Sequence, residues 1–306
     1  TRGSQPTIWD ARTITNLTTT GTPVVNVTYS GASGATIYTG QLSEANSISF
    51  NITAGTYALG FATGSGDTFK DLNLTGYSGT VTFLNNSAQT MVCYGSFTLS
   101  SGCTPAYATG AVFRFSATSG TKTITSAGKT LPQVSINGSG GTFQLQDNLS
   151  TTAVTTGFSL NNGTLDLNGK TLTVLSGKFT TAAGTKNITF NGGTIVCADL
   201  SNSWNNAVPT GFTTTAGTGT GKISMTSASA KTFAEVKLPV VATQLYIYLT
   251  DKNAIGSSVL IGFGNGLLGE FGKLYQDGLL YNGMGDDQKR YENGTPLTGR
   301  GSDNLW

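Results

Sequence analysis

The chain has 306 residues, of which 10% are charged and 37% hydrophobic, with 42 glycines, no histidine and a formal net charge of +2. A charge so sparse and balanced gives no electrostatic case for nucleic acid or an anionic membrane surface, and no run approaches the ~20 apolar residues of a membrane helix. Without histidine there is no His-based triad and no ordinary zinc site, and Cys93, Cys103 and Cys197 match no structural zinc spacing. Whether Cys93 pairs with Cys103 is left open by spacing alone.

Strand signals dominate from the first blocks onward. TPVVNVTYS (22–30), SISFNIT (47–53), KDLNLTG (70–76) and GTVTFL (79–84) are short, β-branched and bounded by Gly, Asn or Ser. From Gly120 to Val196 the period-two alternation is cleanest. It predicts Phe143, Leu145, Leu165, Leu167, Leu172, Val174, Ile188 and Phe190 as an inward set, with Thr142, Gln144 and Gln146 facing out. Asn137-Gly138, Asn162-Gly163, Asn168-Gly169 and Asn191-Gly192 lie between these runs. They read as corners with φ > 0 rather than hairpins, because the flanking strands are short and the larger period is longer than a hairpin.

That larger period is carried by a Gly-Thr pentapeptide. It occurs as GATIY at Gly34, GTYAL at Gly55, GTVTF at Gly79, GTKTI at Gly120, GTFQL at Gly141, GTLDL at Gly163 and GTKNI at Gly184, at intervals of 21, 24, 41, 21, 22 and 21 residues. The interval of 41 reads as two periods with a less regular turn around Gly95 to Gly102. A repeat of this length is a solenoid signature, with room for about three short strands and three corners per coil. Low charge fits, since a charge repeated every turn would face its own kind ~4.8 Å away, whereas Thr and Asn can ladder. The fold expected is all-β, a right-handed parallel β-helix of ~21–22 residues per coil. A longer echo pairs Trp9 with Trp204 and residues 18–37 with residues 213–233, hinting at a cassette that restarts near Asp199.

After about Val241 tyrosine becomes frequent and the Gly-Thr spacing is lost. The expected division is a solenoid shaft over residues 1–243 and a C-terminal Tyr/Gly-rich β module over residues 244–306, with Asp277-Gly278 turning a hairpin. Within that module Tyr275, Tyr281, Tyr291 and Trp306 are the candidate ligand-binding residues, because rings with a polar tip suit sugar or protein surfaces. Packing inside a small Gly-rich module would use the same residues.

Catalysis would have to come from paired carboxylates. Asp67, Asp71, Asp147, Asp166 and Asp199 are the acids of the coils, and Asp147 and Asp166 fall at different points of their coils, so no catalytic residue is assigned. The Asp286-Asp287-Gln288-Lys289-Arg290 cluster lacks the spaced carboxylates of a calcium loop, so no metal or other cofactor is expected. Asn16, Asn26, Asn51, Asn73, Asn187 and Asn293 stand in sequons that an Asn- and Thr-rich composition produces unaided. Ice binding would need a flat two-column rank of threonines, and the Thr after each Gly does not clearly extend into one.

The phrases VVNVTYSGASGATI, LSEANSISFNITAGT, SGTKTITSAGKTLPQVSINGSGGTFQLQDNLST and LNNGTLDLNGKTLTV resemble the repetitive tail-fibre- and tailspike-like structural proteins of marine bacteriophages. The resemblance covers residues 8–196, more faintly to 241, and implies a non-enzymatic β-solenoid virion component for host attachment. It also implies a homotrimer assembled in the reducing bacterial cytoplasm, contacting other virion proteins and a host surface glycan or protein, with no nucleic-acid partner and no membrane insertion. A polysaccharide-cleaving spike and a bacterial surface adhesin are the alternatives.

Overall fold

The computed structural model describes residues 7–11, 17–29, 34–61, 66–84, 88–198, 204–205, 210–219 and 221–226, and beyond these only strand segments from Thr232–Ala234 to Thr295–Pro296. Among the described residues every regular element is a strand. The strands wind as a parallel β-solenoid in which each coil visits three faces in turn.

The first face carries Thr7–Asp10, Ala35–Tyr38, Leu59–Phe61, Thr80–Thr82 and Thr104–Ala106 as one parallel sheet. After a break, Thr130–Leu131, Leu149–Thr151, Thr171–Val174, Thr194–Cys197, Lys222–Met225 and Tyr246–Leu249 take the same place in the coil. The second face runs through Val24–Asn26, Ser49–Asn51, Leu72–Asn73, Phe97–Thr98 and Thr121–Thr125. The third begins at Asp67–Phe69 and continues through Thr90–Cys93 and Val112–Phe115. Two long strands, Gln133–Leu145 and Thr156–Asp166, wrap from the third face onto the second and join both into one sheet.

Alternation places the core as expected. Phe143 pairs with Leu165 and Leu165 with Ile188, and all three are fully buried on one line along the axis. Rings stack in a separate inward column on the third face: Phe158 lies 5.4 Å from Phe179, which lies 4.5 Å from Trp204 with planes 2° apart. Inward positions recur every second residue, so each coil adds several large apolar side chains, each contributing ~1.5–3 kcal/mol on burial. One coil alone would leave its faces unpaired, so that stabilisation exists only between neighbours.

The corners separate into two kinds. At Asn168-Gly169 and Asn191-Gly192 both residues have positive φ (49° and 72°, 47° and 78°), and the turns close through Lys170 N–H to Leu167 O at 2.8 Å and Gly193 N–H to Phe190 O at 2.7 Å. This is hairpin turn chemistry used to swing the chain from the second face to the first. Asn137-Gly138 and Asn162-Gly163 instead lie inside the long wrapping strands, where the register slips between Ile136 and Thr142 and the strand bends without ending. Close approach makes these glycines necessary: a Cβ on Gly163 (φ 86°) would run into the carbonyl of Gly138 one coil away.

The repeat keeps a different phase from the one its intervals suggest. GATIY and GTVTF lead into first-face strands, but GTKTI, GTFQL, GTLDL and GTKNI lead into second-face strands. The interval of 41 is therefore not two turns. It is one turn on the first face, closed by Thr104 N–H to Gly79 O at 3.0 Å, plus the passage round to the second face. Three later first-face strands open on Gly-Lys-Thr or Gly-Gly-Thr, at Gly128, Gly169 and Gly192. The longer cassette is not structural either, since Trp9 sits on the first face and Trp204 on the third.

Beyond Lys222–Met225 the parallel ladder passes through Tyr246–Leu249 to Leu274–Gln276, and Thr232–Ala234 pairs with Leu260–Gly262. Antiparallel pairing starts at Leu274–Gln276 with Leu279–Asn282, where Gln276 faces Leu279, and extends through Lys289–Glu292 to Thr295–Pro296.

Candidate interaction surfaces

The outward residues of the second face form two columns in strict register. One reads Thr121, Thr142, Thr164, Asn187, Thr213, and the other Thr123, Gln144, Asp166, Thr189, Thr215. A two-column rank therefore does exist, against expectation, because the Thr after each Gly is the first outward residue of a strand and the residue two further on is the second. Its polar groups are turned on one another. Gln144 Nε2 donates to Asp166 Oδ2 at 2.9 Å, Asn187 Nδ2 to Thr189 Oγ1 at 3.0 Å, and Thr213 Oγ1 to Asn187 Oδ1 at 2.9 Å. Nearer the N-terminus the same face carries an amide ladder, with Asn51 Nδ2 donating to Asn26 Oδ1 at 2.9 Å and Asn73 Nδ2 to Asn51 Oδ1 at 2.8 Å. Sequon asparagines thus serve as rungs.

Of the coil carboxylates, Asp71, Asp147 and Asp166 hold the scaffold, and Asp67 is buried at the start of Asp67–Phe69. Asp71 accepts Ser49 Oγ and Ser96 N–H, both at 2.7 Å. Asp147 accepts the backbone and hydroxyl of Ser126. Asp166, buried although it stands in an outward column, accepts Gln144, Asn191 Nδ2 at 2.8 Å and its own turn at Asn168 N–H, so one side chain ties three coils. Asp199 lies outside the described residues. Among the described residues no group of three Cys, Asp or Glu is placed to hold a metal ion.

Cys93, Cys103 and Cys197 are all free and buried, so Cys93 and Cys103 are not bonded to each other. Burial pushes the Cys197 thiol from its ordinary value of 9.0 up to about 12 and raises Cys93 and Cys103 in the same direction. Such thiols are neither nucleophiles nor ligands near neutrality.

Where the first-face sheet breaks, a groove of about 470 Å³ lies along the corner between the first and third faces, walled by Tyr107, Pro132, Thr152, Val154 and Ser176. Tyr107 closes its floor by donating to the carbonyl of Thr130. Its polar wall is self-paired, Thr152 Oγ1 to Ser176 Oγ at 2.8 Å, and Val154 stands exposed beside it.

Of the aromatic candidates, Tyr275 pairs with Leu280 and Leu280 with Tyr291, so Tyr275 and Tyr291 share one cross-strand row, while Tyr281 occupies the adjacent row opposite Leu274 and Arg290. Trp306 and Asp286-Asp287 lie outside the described residues. The corner groove and the contact of the Glu44 carboxylate with Thr118, 74 residues on, had no sequence signal, because each joins residues from different coils.

No family model, curated protein or solved structure matches this chain.

Proposed function

We propose that this protein is a non-enzymatic shaft of a bacteriophage tail fibre or tailspike, holding a host-recognition element away from the particle. The observation that carries the reading is the second-face ladder, in register from Thr121–Thr125 through four further coils to Phe212–Thr215, with a self-bonded, nearly uncharged coat. Such a rod transmits position and load rather than enclosing a substrate. The outward amide, hydroxyl and carboxylate groups of the second face are bonded to one another, which suits a spacer more than a catalyst. Three buried, free thiols suit assembly in a reducing cytoplasm. Recognition is assigned to the C-terminal antiparallel strands bearing Tyr275, Tyr281 and Tyr291 together with Trp306, with a host surface glycan or protein as the partner. A side-by-side trimer of shafts is the assembly proposed, with other virion proteins at its base.

Adsorption competition tests this reading. Purified protein in excess should block attachment of the phage whose genome encodes it, and antibodies to it should decorate fibres or spikes on intact particles. Unaffected adsorption with no labelling of the particle overturns it.

A further inference from the structure

Four consecutive coils turn from the first face to the third at residues 107–111, 132, 152–155 and 175–177, just before the paired third-face strands that begin at Val112, Gln133, Thr156 and Lys178. These corners stack into a line parallel to the shaft axis, about 14 Å long at one strand spacing per coil. They read Tyr-Ala-Thr-Gly-Ala, Pro, Thr-Ala-Val-Thr and Leu-Ser-Gly, without a charged residue. The first-face strands that lead into them, Thr104–Ala106, Thr130–Leu131, Leu149–Thr151 and Thr171–Val174, have no charged residue either.

Among the described residues large apolar side chains stand exposed at three positions, and two of them lie on this line: Val154, 78% exposed, and Leu175, 45% exposed. They belong to adjacent coils, since Leu175 N–H donates to Thr151 O at 2.9 Å and Val154 follows Thr151 in the same turn. In the two coils before, Pro132 and Tyr107 wall the groove beside Val154. The third exposed position, Val24, is on the second face. Single apolar residues scattered over a surface carry no meaning, whereas apolar surface gathered in one strip marks a contact. The other two corner lines of these coils differ. The one from the second face to the first carries Lys129, Asp147 and Lys170. On the one from the third face to the second, Thr118 is taken by the Glu44 carboxylate, and no large apolar side chain among the described residues stands exposed there.

Symmetry and charge decide what covers the strip. When identical shafts lie side by side about an axis parallel to their length, each side chain nearest the axis meets its own counterpart at the same height. A charged residue there would face its own charge, so an uncharged line is the one that can occupy that place. We propose that copies of this chain meet along this corner line, with Val154 and Leu175 forming successive apolar layers at the axis and the uncharged first-face strands lying alongside. Lys178, the first charged residue past the corner, opens its third-face strand and flanks the line. The inference rests on the side-by-side assembly proposed above, to which it gives a contact, and not on a phage origin.

Cross-linking and sedimentation of the full chain test it. Val154→Cys, with Val24→Cys as the control, is treated with a short bis-maleimide and run on a denaturing gel, where the buried native thiols stay silent. Val154→Cys should give a cross-linked dimer band and Val24→Cys none. In sedimentation velocity Leu175→Lys, which sets a like charge against itself at the axis, should weaken association at least ~tenfold, while Val24→Lys sediments as the parent does. An assembled parent in which Val154→Cys gives no more cross-linking than Val24→Cys, or whose Leu175→Lys variant associates unchanged, overturns the corner contact and leaves the side-by-side assembly standing. A parent that is monomeric at every concentration overturns both, and the strip is then covered by a partner of another kind or by none.

Discussion

At the residue scale the chain is governed by what one coil permits the next to do. Gly163 is required by geometry in this sense: its φ of 86° and the carbonyl of Gly138 leave no room for a side chain. Gly163→Ala is expected to lower stability by about 2–4 kcal/mol, whereas Gly128→Ala, with positive φ but open space, should lower it by about 1 kcal/mol, both read from urea unfolding. Asp166 is the corresponding polar position. Removing a carboxylate that accepts from three coils should cost about 2–3 kcal/mol in Asp166→Ala. The thiols set a pH dependence of definite sign. Because burial raises Cys197 to about 12 from 9.0, the fold binds a proton that the unfolded chain has released above pH 9, so stability declines as pH rises from about 9 toward 12. Denaturation midpoints across that window test the slope. A thiol reagent at neutral pH should find no reactive group until the chain is unfolded.

At the element scale a strand matters through the strands stacked on it. Phe179 sits between Phe158 and Trp204, in face-to-face contact with both. Phe179→Ala should therefore lower stability by about 3–5 kcal/mol. Hydrogen exchange should rise in the strands Thr156–Asp166, Lys178–Thr181 and Trp204–Asn205 before it rises in the coils around Phe83, because coupling in a solenoid runs mainly between neighbours. Equal acceleration along the whole shaft would show a more global cooperativity than stacking alone provides.

At the scale of the whole molecule the issue is how a ladder ends. Tyr246–Leu249 pairs directly with Lys222–Met225, so removing residues 244–306 uncovers a first-face edge. That truncation is expected to give soluble aggregates or monomers by light scattering and sedimentation. A well-behaved trimer from the same truncation would show that residues 244–306 neither cap the shaft nor hold the assembly together.

Much of this was legible in the residues themselves. Alternation placed Phe143, Leu165 and Ile188 inside, and Asn168-Gly169 and Asn191-Gly192 marked true corners, because side-chain direction in a strand and φ > 0 at a turn are local properties. The face on which each Gly-Thr phrase lies was not legible, since any corner of the coil accepts the same glycine. Nor was the reach of Glu44 to Thr118, the triple tie of Asp166, or the second outward column, because all three join residues brought together only when successive coils are stacked. The chain by itself determined that a coil repeats and which residues line its interior. Only the packed structure decided the phase of that repeat and which edges stay open, because phase and edge protection are relations between coils.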